Sequence, residues 1–158
     1  MTADVTLRPA EAVDAAACFD LDQVCFESEI AFGREMFDVL ARRAEVFLLA
    51  ESEGRMVGFV IANVNAEDDV GLIVTLDVHP EWRRRGIGSY LLERAEEKLA
   101  VFRPSAMFLQ VFVENYEALG LYQKHGYSTI LQIDDYYGPR KDALLMMKSM
   151  EDDQVDSD

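Results

Sequence analysis

Hydrophobic and polar positions along this 158-residue chain follow two periods. In 107–113 the alternation is strict. Met107, Leu109, Val111 and Val113 share one face, and Phe108, Gln110 and Phe112 share the other, which is the signature of a strand. Residues 55–64 (RMVGFVIANV) are almost continuously apolar, as for a central strand covered on both faces. Further strands are predicted at 5–8 (ended by Pro9), 45–51, 70–79, 127–133 and 142–148, with turns at Glu53-Gly54 and 65–69. The helical period appears in 10–26 (Val13, Ala17, Leu21, Val24) and in 34–43 (Met36, Phe37, Leu40). It returns in 88–102 (Leu91, Leu92, Ala95, Leu99, Phe102), which Pro104 stops. A last helix is predicted over 115–125, with Asn115 as N-cap and Gly126 as the stop. The pattern is one α+β domain over 1–148, followed by an acidic tail, 149–158, expected to be disordered.

The stretch 75–92, TLDVHPEWRRRGIGSYLL, joins a strand to a helix through an arginine-rich turn with two glycines. The first N–H groups of a helix have no acceptor within it, and its dipole favours negative charge there. Gly86 and Gly88 admit a close backbone approach, and Arg83, Arg84 and Arg85 add positive charge. Such a loop suits a phosphate. It is not a Walker A loop, because no Gly-Lys-Ser/Thr follows, and a dinucleotide fingerprint would need a third glycine where Leu91 stands.

Composition narrows the partners. The formal net charge of −15 argues against general nucleic-acid binding and would attract cationic substrates, although solubility alone would account for it. No apolar run is long enough to span a membrane, and no secretory signal is seen. Cys18 and Cys25 lie seven apart on a predicted helix, roughly 10 Å along its axis, too far for a disulfide. They read as reduced thiols of a cytoplasmic protein. No Cys or His cluster suggests a metal; His79 and His125 read as structural.

Arg83-x-x-Gly86-x-Gly88 resembles the pyrophosphate motif of the GNAT superfamily of N-acetyltransferases. The stretch 109–127, with Asn115, Ala118, Leu121, Tyr122, Gly126 and Tyr127, resembles that family's second cofactor motif. Within the superfamily the branch of RimI and the N-terminal acetyltransferases is the most similar, and Tyr136-Tyr137 followed by DALLMM fits it too. The resemblance implies a three-layer α/β/α fold. Its seven-stranded mixed sheet is mostly antiparallel, is splayed at a bulge in the fourth strand where acetyl-CoA binds, and is flanked by about four helices. It also implies roles. The pantetheine arm would lie along Leu76, Asp77 and Val78, with the Val78 N–H polarising the thioester oxygen. The pyrophosphate would sit on the N–H groups of Arg84, Arg85, Gly86, Ile87, Gly88 and Ser89, beside Arg83. Asn115 would contact pantetheine, and Tyr122 would protonate the departing thiolate. Tyr136 and Tyr137 would line the acceptor site. No metal is implied. Tyr122 could equally be a core tyrosine, Asn115 a plain cap, and the tyrosine pair an aromatic hairpin.

One position departs from the family. RimI-like enzymes read L-E-V before the asparagine, and this chain reads Leu109-Gln110-Val111. Gln110 is no base, so it would act as a water or amine ligand or as a structural amide. A base would come from Glu27, Glu29 or Asp77. At pH 7.5 roughly a third of an α-amine but only about a thousandth of a lysine is neutral, so a weak base suits a protein or peptide N-terminus. The expectation is an acetyl-CoA-dependent N-acetyltransferase, monomeric or homodimeric, acting on such an N-terminus. The alternatives are a small-amine (polyamine, amino acid or aminoglycoside) acetyltransferase and a non-catalytic CoA-binding sensor.

Overall fold

The computed structural model describes residues 4–151. The strands are β1 (Thr6–Pro9), β2 (Val46–Ser52), β3 (Arg55–Asn65), β4 (Val70–Val78), β5 (Ala106–Phe112), β6 (Ser128–Ile133) and β7 (Ala143–Ser149). The helices are α1 (Ala15–Cys25), α2 (Arg34–Arg43), α3 (Ile87–Leu99) and α4 (Tyr116–Lys124). The strands form a mixed sheet in the order β1-β2-β3-β4-β5-β7-β6. β1/β2, β2/β3, β5/β7 and β6/β7 are antiparallel, and β4/β5 are parallel. The expected tail lies mostly outside the described residues. The strand that precedes it runs through Ser149, and the Met150 N–H is bonded to the Ser105 carbonyl at 2.9 Å.

The described chain divides into two compact units. One runs up to Asn63 and includes Ile73–Lys98; the other comprises Val64–Leu72 and the chain from Leu99 onward. In the first unit, α1 and α2 cover a cluster of Cys18, Leu21, Phe37, Leu49, Phe59 and Ile61. Phe59 meets Phe37 edge-on, with ring centroids 5.7 Å apart. Gly58, one residue earlier and therefore on the opposite face of β3, approaches Leu91 of α3. Helices thus cover both faces of β3, which explains its continuous apolar run from Val57 to Ala62.

Helix faces differ from the expected ones. α1 is preceded by a single 3-10 turn, Ala12–Asp14. It buries Ala15, Cys18, Leu21 and Asp22, whereas Val13 is 79% and Val24 58% exposed. The Val13–Ala17–Leu21–Val24 stripe is therefore corrected: only Leu21 of that set is fully buried. Phe37 and Leu40 of α2 are buried as expected, but Met36 is exposed. Leu91, Leu92, Ala95 and Leu99 of α3 are buried, and Phe102, in a 3-10 turn beyond the helix, is exposed.

In the second unit β4 and β5 are in register over 70–72 and 106–108. Gly71 lets Met107 pass: a Cβ there would overlap its Sδ. Met107, Leu109 and Val111 are buried and the alternate residues half-buried, as the alternation predicts.

Candidate active site

The first group of site residues lies in the first unit, where β4 gives way to α3. Within β4, Val74 packs against the cluster containing Cys18 and Leu21, while Asp77 lies against Asp22 of the same helix. Residues three apart on a regular strand point to opposite faces, so the alternation breaks here in the manner of a bulge. The strand is braced at its end. The His79 N–H donates to the Val57 carbonyl at 2.8 Å, and Gly58 leaves no side chain where a Cβ would sit 2.7 Å from the Asp77 carbonyl oxygen. The Val78 carbonyl accepts from Arg83 Nε at 3.0 Å and from the Cys25 thiol at 3.5 Å. Leu76 and Val78 are half-buried.

After a 3-10 turn at Pro80–Trp82, capped by His79 Nδ1 accepting from the Glu81 N–H, the chain makes its arginine–glycine turn. Arg84 and Gly86 take positive φ, 63° and 85°. Those left-handed residues curl the backbone into α3, whose first bond runs from the Tyr90 N–H to the Gly86 carbonyl at 3.0 Å. The N–H groups of Ile87, Gly88 and Ser89 precede that bond, at the positive end of the helix dipole. Ile87 is buried and anchors the turn, and Arg84, Arg85 and Gly86 are exposed. Arg85 stacks over Trp82, 4.6 Å from the ring centroid. This turn is a candidate anion cradle. Arg83 also reaches back through its Nε to brace the end of β4.

Glu27 and Glu29 are exposed in the segment between α1 and α2, where the Glu27 carbonyl accepts from the N–H groups of Ile30 and Ala31, both at 2.8 Å. Asp77 is only 1% exposed. Burial and the neighbouring Asp22 push its carboxyl well above the usual range. It does not present a free carboxylate base.

The second group lies in the second unit. Asn115 caps α4, its Oδ1 accepting from the Ala118 N–H at 3.2 Å, and Gly126, at φ 97°, ends it. Tyr122 is buried, 7% exposed, with its ring edge-on to Tyr127 at 5.9 Å. Gln110 is half-buried on β5, between Phe108 and Phe112 and opposite Leu145 of β7. Tyr136 and Tyr137 belong to the loop between β6 and β7, held by the Tyr137 N–H to the Lys141 carbonyl at 3.0 Å. Tyr136 is 48% exposed. Tyr137 packs edge-on to both Tyr136 (4.9 Å) and Phe112 (6.2 Å), and burial pushes its phenol up to about 12. The Tyr137 ring thus joins the face of β5 that carries Gln110.

The sequence reading missed Asp22, Thr75 and Cys25, which surround Asp77. The spacing of Ala15, Cys18, Asp22 and Cys25 is as helical as that of the expected stripe, but a carboxylate on it argued against burial. Among the described residues no three His, Cys, Asp or Glu side chains gather as a metal site. Among the same residues no helix is long and apolar enough to cross a membrane.

Comparison with known proteins places this geometry. The model of the acetyltransferase (GNAT) family matches residues 15–127. An N-alpha-acetyltransferase of Sulfurisphaera tokodaii is 30% identical over 111 residues, 63% of this chain and 66% of that protein, so just under two thirds of the relative's length is spanned. The crystal structure of the ribosomal-protein-S18-alanine N-acetyltransferase of Escherichia coli shares the fold. Its TM-score is 0.81 at 23% identity, over 94% of this chain and 95% of that one. A chain of the NatC complex bound to Gag peptide and CoA matches with a TM-score of 0.82 at 19% identity, over 94% and 99% of the two chains. The family match takes in the anion cradle, α3 and α4 together, and by it this chain belongs to the GNAT family of acetyltransferases.

Proposed function

We propose that this protein transfers acetyl from acetyl-CoA to the N-terminal α-amine of a peptide or protein. The observation that carries the cofactor half is the cradle: left-handed Arg84 and Gly86 lead the chain into the start of α3 beside exposed arginines. A pyrophosphate fits that donor set. The N–H groups of 84–89 would bind it, and Asn115 would meet the pantetheine. The backbone from Leu76 to Val78 would hold the thioester, with the Val78 N–H stabilising the oxyanion as the amine attacks. Tyr122 would give its proton to the leaving thiolate; a phenol's reference value near 10 suits a proton donor at neutral pH. Gln110, Tyr136 and Tyr137 would receive the acceptor, with Glu27 and Glu29 at its charged end. The α-amine follows from Gln110, which offers no base, and is supported by the names of the relatives. The two free thiols suit a reducing cytoplasm.

The test is acetyl-CoA-dependent CoA release with three acceptors: lysine-free peptides with free N-termini, the same peptides N-blocked with one lysine, and a polyamine mixture. Release with the first set is the expected result. Release with polyamines alone would replace the acceptor by a small amine. Acetyl-CoA raising the melting temperature with no release from any acceptor would favour a CoA-binding sensor.

A further inference from the structure

Asp22 of α1 and Asp77 of β4 are each 1% exposed. Their carboxyls are neighbours, close enough for each to act on the other's charge. Two neighbouring carboxylates out of water repel too strongly for both to ionise, which favours a proton on one of them. The other partners say which. Asp22 accepts the Phe32 N–H at 2.7 Å, a bond that favours its charged form. Asp77 accepts the Thr75 hydroxyl on Oδ1 at 2.7 Å, and its buried Oδ2 meets no donor. An acid O–H on Asp77 directed at Asp22 removes that orphan.

The surroundings agree. Cys18 and Cys25 face the pair from α1; burial pushes the Cys25 thiol up to about 12 and Cys18 higher still, so neither adds charge at neutral pH. Arg83, beyond the end of β4, is the cation that favours an ionised Asp77, and burial and Asp22 outweigh it. Asp14 and Arg8 act on Cys18 from the chain before α1 and hold each other in an ion pair at 2.9 Å.

The geometry points to a positioning device: Asp22 and Asp77 share one proton, and through Asp22 and the Phe32 N–H they fasten the segment 26–33 to β4. The segment carries Glu27 and Glu29, and β4 carries Leu76 and Val78. The consequence for catalysis rests on the function proposed above, under which the segment receives the acceptor.

The proton is tested on the whole chain without substrate. Wild type at pH 7 is expected to show an infrared carboxylic-acid C=O band that shifts in deuterium oxide and is absent from Asp77→Asn. A carboxyl raised by folding contributes stability that is complete below the unfolded carboxyl range, near pH ~4, and is lost as pH climbs towards the raised value. Asparagine mimics the protonated acid and has no proton to lose. The melting temperature of wild type minus that of Asp77→Asn should therefore fall as pH rises above about 4. No band and no falling difference would overturn the shared proton.

The fastening is read by hydrogen exchange. Asp22→Ala should speed exchange across the segment, and Asp22→Asn, which still accepts the Phe32 N–H, should restore protection. Equal exchange in the two variants would overturn it. For catalysis, Asp22→Ala should raise the acceptor KM roughly tenfold while the acetyl-CoA KM stays within about twofold, the loss of one charged hydrogen bond. Asp22→Asn should recover most of that. A fall in kcat with both KM values unchanged would overturn the positioning role. A wild type that acetylates no amine would count against the proposed function alone, leaving band, melting and exchange to decide the pair.

Discussion

Tyr122 is packed like a core residue and is proposed as the proton donor, and its hydroxyl separates the two roles. Tyr122→Phe keeps the ring against Tyr127. If the phenol protonates the thiolate, kcat should drop by roughly 10²-fold or more with acetyl-CoA affinity kept. A kcat within about twofold of wild type in steady-state assays would make Tyr122 purely structural. The motif placed Tyr122 on α4 because Asn115 and Gly126 punctuate that helix locally. Asp77 shows the opposite case. Nothing local in TLDV distinguishes a solvated carboxylate from a buried acid; that depends on Asp22, far away in sequence.

At the scale of elements, β4 is shaped by its neighbours as much as by its own residues. Gly58 is the point where β3 admits it, with no room between a Cβ and the Asp77 carbonyl. Gly58→Ala should destabilise the fold by about 1–3 kcal/mol through overpacking. Because that carbonyl lies in the strand proposed to carry the thioester, acetyl-CoA affinity should fall as well. Thermal melts with and without acetyl-CoA measure both, and an unchanged ligand-induced shift would separate the strand from cofactor binding. Strands were legible because a two-residue period shows in short runs. Faces of α1 were not, since two helical stripes fit the same residues and only the position of β2 and β3 selects one.

Over the whole molecule the charge of −15 is the property with the longest reach. Among acceptor peptides of equal length, those with lysine or arginine beyond the first residue should show lower KM than acidic ones at low ionic strength. The gap should shrink markedly between about 20 and 200 mM salt as the Debye length contracts. A gap that salt leaves untouched would place the preference in direct contacts instead. Many of these features needed no tertiary structure. The strand and helix order, the caps of α4 and the arginine–glycine turn all arise from residues adjacent in the chain, where backbone sterics and hydrogen bonding act locally. The tertiary structure decided which side of α1 is buried, that Arg83 braces β4, and that Asp22 and Asp77 meet out of water. Burial and charge coupling depend on what surrounds a group in space, and no local pattern carries that information.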